Sequence, residues 1–346
     1  MERNELKKRV CEAIDARRDT IVSIGEDIRL RPELGYKEVR TAAIVSEHLG
    51  RLGVPHETGL AITGVKGVLD GCSPGPTIAY MGELDSIVVP EHPDADPVTG
   101  AAHACGHNAQ IANLLGVAYG LVEGAVMPDL AGRVALMAVP AEEYVEVGYR
   151  LALKEQGIIE FLGGKPELVR LGAFDDVDMA MLTHQASRET GKLSVGGPTN
   201  GCVVKLITYI GRASHAGGAP HRGVNALKAA TLALQAIDML RETFQDDDHI
   251  RVHPIITHGG DLVNVIPADV RLETYVRGAS VDAIVEAASK VDRCLRAGAM
   301  ALGATVRIRT LPGYLPRKPA TALAKLYRAN AIDLVRADGW WDSAFG

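Results

Sequence analysis

The stretch His103-Ala-Cys-Gly-His-Asn-Ala-Gln110 sets one cysteine between two histidines, at the mouth of a run that reads as a helix over residues 109–124. Other chemistry-bearing residues fall where predicted strands end. Asp85 closes "TIAYMGELDS", Glu142 and Glu143 follow "RVALMAVP", and His184 closes "VDMAMLTH". One thiolate, two imidazoles and a carboxylate are donors that suit a first-row divalent metal. In such a site Cys105, His107, His184 and one of the two glutamates would hold the ion. The other glutamate would stay free to act as a base, and Asp85 would orient a ligand histidine. Taken singly, each residue has a plainer reading. Cys105 is a buried thiol, His184 a satisfied histidine at a strand end, and Asp85 an acceptor for backbone N–H groups. The glutamate pair alone is a solvated helix start, where acids suit the positive end of the helix dipole.

The elements that must position these residues alternate. Residues 3–30 carry apolar positions at helical spacing, and a turn at Pro32–Gly35 leads into a second amphipathic helix. "GVKGVLDG", "TIAYMGELDS", "RVALMAVP" and "VDMAMLTH" read as strands with helical stretches between them. That order predicts an α/β domain with a mostly parallel sheet covered by helices on both faces. In an open parallel sheet ligands bind beyond the carboxyl ends of the strands, which is where the candidate residues sit. Near residue 193 the pattern changes. "GCVVKLITYIGRASHAGG", "RVHPIITHGG", "ADVRLETYVRG" and "TVRIRTLPGYLP" read as strands, interleaved with two long helices at 223–244 and 281–303. Strand-helix-strand-strand-helix-strand is the ferredoxin-like order. The expected organisation is one domain of residues 1–192 and 313–346, with an α+β domain inserted at 193–312.

Composition bounds the function. A chain of 346 residues exceeds what one core usually supports. The net charge of −6 argues against a nucleic-acid partner. No apolar run reaches membrane-spanning length, and the charged N-terminus has no signal-peptide core. The expected setting is cytoplasmic. Cys11, Cys72, Cys202 and Cys294 are scattered and form no CxxC pair, so they read as incidental thiols rather than a disulfide framework. His48, His56, His92, His249, His253 and His258 read as structural.

Taken together and in order, "RPELGYKE", "GELDS", "HACGHN", "PAEE", His184, "GRASHAGGAPHRGVNAL" and "GGDLVNVIPADVRLETYVRG" resemble the co-catalytic metallopeptidase and amidohydrolase family of hippurate hydrolase, indoleacetyl-amino acid hydrolases, carboxypeptidase G and aminoacylase. The resemblance runs from about Arg31 to Arg277. It implies Cys105, His107, Glu143 and His184 as ligands of one or two ions of manganese or zinc, and Glu142 as general base. It makes the inserted domain a lid through which two chains pair as a homodimer. It implies that His215 reaches a neighbouring active site and polarises the scissile carbonyl, and that Asn264 and Arg277 contact the substrate. The implied activity is hydrolysis of the amide of an N-acyl or aryl amino acid, or aminobenzoate, conjugate. A hydrolytic deaminase of an aromatic amine and a catalytically incomplete metal-binding dimer are the alternatives.

Two departures from the family pattern stand out. Asn108 and Gln110 replace an aspartate and a histidine, which alters the surroundings of the ligands rather than the ligands. No histidine follows His258, whereas the family pattern has a final histidine ligand, so the sequence reads as C-terminally incomplete.

Overall fold

The structure is a computed structural model that describes residues 2–186, 193–335 and 340–341. The chain divides into two compact units, Met1–Ser187 and Arg188–Gly346. The expected domain boundary at 192/193 falls on residues partly outside the described ones, as does the end of the chain.

The first unit opens with helices α1 (Arg3–Ala16), α2 (Arg18–Arg29) and α3 (Val39–Arg51). Strands β1 (His56–Leu60), β2 (Gly64–Asp70) and β3 (Ser73–Glu83) follow. A short hairpin of β4 (Ile87–Val88) and β5 (Ala101–Ala102) leads into α4 (His107–Glu123). Then come β6 (Ala131–Val139), α5 (Val147–Glu155), α6 (Gly164–Arg170) and β7 (Met179–Leu182). The main sheet has the order β1-β2-β6-β3-β7. Strands β6, β3 and β7 are parallel neighbours, so their carboxyl ends share one rim. The hairpin β1–β2 extends the sheet antiparallel through β2–β6. Strand β1 is mostly exposed and carries no apolar alternation, which is why the sequence pattern does not reveal it.

The single helix expected over 3–30 is two helices, broken at Arg17, whose φ of −104° and ψ of 8° leave the helical region. The break lets both helices lie on α4. A side chain at Gly120 of α4 would press on Val10 and Ile14 of α1, and one at Gly116 would meet Ile21 of α2. Arg17 itself forms a two-pronged pair with Glu123 at the end of α4. The core under α2, α3 and α4 joins Ile28, Leu49, Ile111, Leu114, Leu115 and Leu136, all fully buried. Removing that apolar surface from water is what ties helix layer to sheet.

The second unit contains β8 (Leu193–Ser194), β9 (Gly201–Ile210), α7 (Ala226–Met239), β10 (Arg251–Val252), β11 (Ile255–His258), β12 (Asp269–Gly278), α8 (Val281–Leu302), β13 (Thr305–Tyr314), α9 (Thr321–Val335) and β14 (Trp340–Trp341). Its sheet is antiparallel, in the order β10-β12-β9-β13 with β11 also on β12. This is the ferredoxin-like arrangement. The strand expected over 251–260 is split, because Pro254 lacks the N–H that a continuous ladder needs. Helices α7 and α8 cover one face through Ala226, Ala229, Ala233, Val291 and Leu295. At Gly298 a side chain would collide with the Ala229 carbonyl, so only glycine permits this helix spacing. Among the described residues no helix is long and apolar enough to cross a membrane.

Candidate metal centre

The carboxyl-end rim of the first unit gathers the predicted residues. Strand β3 delivers Glu83 and, two residues on, Asp85. Strand β6 leads into Glu142 and Glu143, and β7 into His184. Cys105 and His107 stand at the start of α4. Between them Gly106 holds φ +89° as the residue before the helix, a conformation that costs glycine little. Any side chain there would also strike Gln185, beside His184. The Cys-Gly-His spacing is therefore a backbone requirement as well as a ligand pattern.

Cys105 Sγ lies 3.4 Å from His184 Nε2. The His107 and His184 rings meet edge to face with centroids 5.7 Å apart. One donor atom from each of Cys105, His107 and His184 falls within 4.8 Å of the others, and the same holds for Glu83, His107 and Glu142. His107 is fully buried. Its Nδ1 donates to the Asp85 backbone carbonyl at 2.8 Å and lies 3.2 Å from the Asp85 carboxylate. This contact fixes the ring and leaves Nε2 facing the site, buried, without a hydrogen-bond partner among the described residues and 3.1 Å from Glu83 Oε2. The other Asp85 oxygen accepts the Glu143 N–H at 2.9 Å. Asp85 thus ties the histidine to the glutamate pair. Glu142 reaches a converging donor set; among the described residues Glu143 is in neither of the two.

The electrostatics draw positive charge into the site. Burial opposes the His107 cation, but the Asp85 hydrogen bond, Cys105 and the Glu83 charge push its pKa up to about 11. His184 rises to about 9 through its contact with Cys105, against partial burial. Burial opposes the charge of Glu83, yet Lys165 and His107 hold its pKa below the ordinary range. Burial lifts Glu142 to about 7, with Lys165 pulling down and Glu83 and Glu143 pushing up. His103 is buried, with neither ring nitrogen partnered among the described residues, and burial lowers its pKa to about 4. A cysteine sulfur and two imidazoles converging beside buried carboxylates suit a divalent ion, which takes such ligands in their deprotonated form.

Several residues at this rim carry no role in the sequence analysis, though Glu38 and Glu83 lie within the quoted motifs. Lys165, in the first turn of α6, pairs with Glu83 and stands 3.9 Å from Glu142 Oε1. Glu38 accepts the Ala141 N–H at 2.7 Å and the Thr63 hydroxyl at 2.7 Å. The Ala141 carbonyl accepts from Gly164 N at 3.0 Å and from the buried Arg150 at 3.4 Å. Ala141 is thereby held at φ +48°, a left-handed turn immediately before Glu142. The period-2 rule offers a signal for Glu83 alone, two residues before Asp85 in the predicted strand. Asn108 and Gln110 are structural here. Asn108 bonds the Gly25 carbonyl at 3.1 Å, tying α4 to α2. Gln110 bonds Glu83.

The remaining predicted residues belong to the second unit. His215 is exposed, and its Nδ1 accepts from the backbone N–H groups of Gly217 and Gly218. The next residue, Ala216, donates to the Asn264 carbonyl at 2.8 Å, so these two positions are neighbours. Arg277 lies at the far end of β12, bonded to the Tyr314 hydroxyl at 2.6 Å and stacked over Tyr275.

Comparison with known proteins agrees with this architecture. Residues 204–300 match the peptidase dimerisation domain of the M20 family. The Xaa-Arg dipeptidase of Mus musculus is 31% identical over 95% of this chain and 72% of its own length. Thermostable carboxypeptidase 1 of Saccharolobus solfataricus is 29% identical over 86% of this chain and 73% of its own. The crystal structure of the aminobenzoyl-glutamate utilization protein of Klebsiella pneumoniae superposes with a TM-score of 0.72 at 22% identity, covering 97% of this chain and 86% of that one. The extent of the dipeptidase match, the dimerisation domain and the thiolate-imidazole donor set lead to one conclusion: the chain belongs to the M20 family of metal-dependent peptidases and amidohydrolases, hydrolases of C–N bonds.

Proposed function

We propose that this chain hydrolyses the amide bond of an N-acyl or aryl amino acid, or aminobenzoate, conjugate, releasing the free amine. The observation that carries this reading is a Cys105–His107–His184 donor set beside a half-buried carboxylate, Glu142. The relatives support the substrate class: a dipeptidase and a carboxypeptidase by name both cleave an amide whose nitrogen belongs to an amino acid.

Cys105, His107, His184 and Glu143 are assigned to one or two ions of manganese or zinc. Such an ion supplies, when bound, a Lewis acid that lowers the pKa of water and polarises a carbonyl. Glu142 takes the proton of the attacking water and passes it to the leaving nitrogen. Its half-buried setting keeps it a poised base rather than a solvated one. Asp85 holds His107 in one tautomer. His215 steadies the developing oxyanion as a preorganised donor. Asn264 and Arg277 bind the substrate's amide or carboxylate. We assign residues 1–192 and 313–346 to the catalytic domain and 193–312 to the lid, which pairs two chains as a homodimer; the completed ferredoxin-like order between β9 and β13 supports the lid assignment. A thiolate ligand and five free cysteines favour the reducing cytoplasm.

The test is a panel of N-acyl amino acids, dipeptides and aminobenzoyl-glutamate, offered to the chain loaded with manganese or zinc and read as free amine released. Amine release that chelator abolishes is the expected result. A fully loaded chain that releases none across the panel overturns the reading.

A further inference from the structure

Two converging donor groups share one residue. Cys105–His107–His184 and Glu83–His107–Glu142 both need His107. With Nδ1 held by Asp85, His107 has one nitrogen left, Nε2, and a neutral imidazole nitrogen carries one lone pair for one ion. The groups are therefore alternatives at this residue.

The second group already faces a cation. Lys165 Nζ pairs with Glu83 Oε1, and the same ammonium stands 3.9 Å from Glu142 Oε1. The other oxygen of Glu83 accepts from Gln110 Nε2 at 2.8 Å, so both oxygens of this buried carboxylate are used. The root of Lys165 is fixed by the loop that carries Glu142. Gly164 donates to the Ala141 carbonyl at 3.0 Å, and a side chain at Gly164 would collide with the Pro140 carbonyl. A divalent ion entering between Glu83 and Glu142 would have to displace a tethered ammonium, or meet its repulsion at close range.

We infer that Lys165 supplies, as a fixed ammonium, the positive charge that a second ion would bring between Glu83 and Glu142, so that the site holds a single divalent cation, on Cys105, His107 and His184 with Glu143. This rests on the metal-hydrolase reading above. It goes beyond that reading by setting the ion count and naming the residue that sets it. Lys165 is in this account a charge-balancing neighbour of Glu142, one that acts through the carboxylates it touches.

The experiment is ion stoichiometry on the full chain, loaded with zinc or manganese, freed of excess metal and measured by elemental analysis. Wild type is expected to hold one ion per chain. Lys165→Met and Lys165→Gln are expected to take up a second. Each variant is checked by circular dichroism and thermal melting, so that a misfolded one is set aside in favour of the other. Cobalt titration of the wild-type chain needs no variant: its thiolate charge-transfer band should saturate at one equivalent, with no further cobalt retained. Two ions per wild-type chain, or variants that stay at one, overturn the role of Lys165 and leave the metal reading intact. No ion in the wild-type chain overturns both, and that result differs from the other two.

Discussion

Gln110 holds Glu83 at two points. Its side-chain carbonyl accepts the Glu83 backbone N–H at 3.1 Å, and its amide donates to the Glu83 carboxylate at 2.8 Å. Both residues are buried, 2% exposed each. The substitution that breaks the family pattern at this position therefore has a local partner on β3. Gln110→Leu keeps the volume and removes both bonds, leaving two buried polar groups to find others. A buried group without a partner costs about 1–3 kcal/mol, so the loss should be roughly 2–6 kcal/mol of unfolding free energy. Denaturant titration measures it, and an unchanged midpoint would mean the clasp does not hold the strand.

Asp85 should matter to the ion without touching it. It fixes His107 through Nδ1 and fixes Glu143 through its backbone N–H. Asp85→Asn should weaken metal affinity by roughly 10–100-fold, the range found when a ligand's orienting partner is lost. Competition with a chelating dye reads the change directly. Affinity equal to wild type would remove Asp85 from the site's machinery.

Glu142 and Glu143 have different assigned jobs, and one variant separates them. Glu142→Gln should keep its ion and lose turnover by about 10²–10⁴-fold, as expected for a missing proton acceptor. Should the variant lose the ion instead, Glu142 is a ligand and the base must be sought in its neighbour.

Glu38 makes stability depend on pH. Burial, then the nearby Asp85 charge, lifts its pKa from 4.5 to about 7 in the folded chain. Between these values the native state binds a proton that the unfolded chain has released. Its contribution is thus fully present below about 4.5 and is lost as pH rises through about 7. Glu38→Gln carries no such proton, so its unfolding midpoint should fall less than the wild-type midpoint across that window. Parallel slopes for the two proteins would assign the pH dependence to other groups.

Much of the rim could be read from residue types and their order. Cys105, His107 and His184 are brought together as the sequence suggests, because each sits at an element end whose place is set by a clear apolar pattern. The strand-helix-strand-strand-helix-strand order of the second unit was equally legible, since its strands alternate and its helices are long. What escaped is held by contacts between distant segments. Lys165 is 82 residues from Glu83, and no periodicity on α6 marks it as facing a carboxylate. Glu38 looks like one more charged residue before a helix; only the fold buries it against Ala141. The break at Arg17 was hidden for a similar reason, since the apolar spacing continues across it and only the shape of α4 demands the bend.

His184 is carried to the rim by β7, the last strand of its unit, 79 residues after Cys105. During synthesis the thiol therefore leaves the ribosome long before its imidazole partner exists. Capture of the ion by the whole donor set waits for β7, and a chain interrupted before that strand has Cys105 and His107 but lacks the second imidazole. Occupancy of the centre would then report that the chain has been made at least as far as β7.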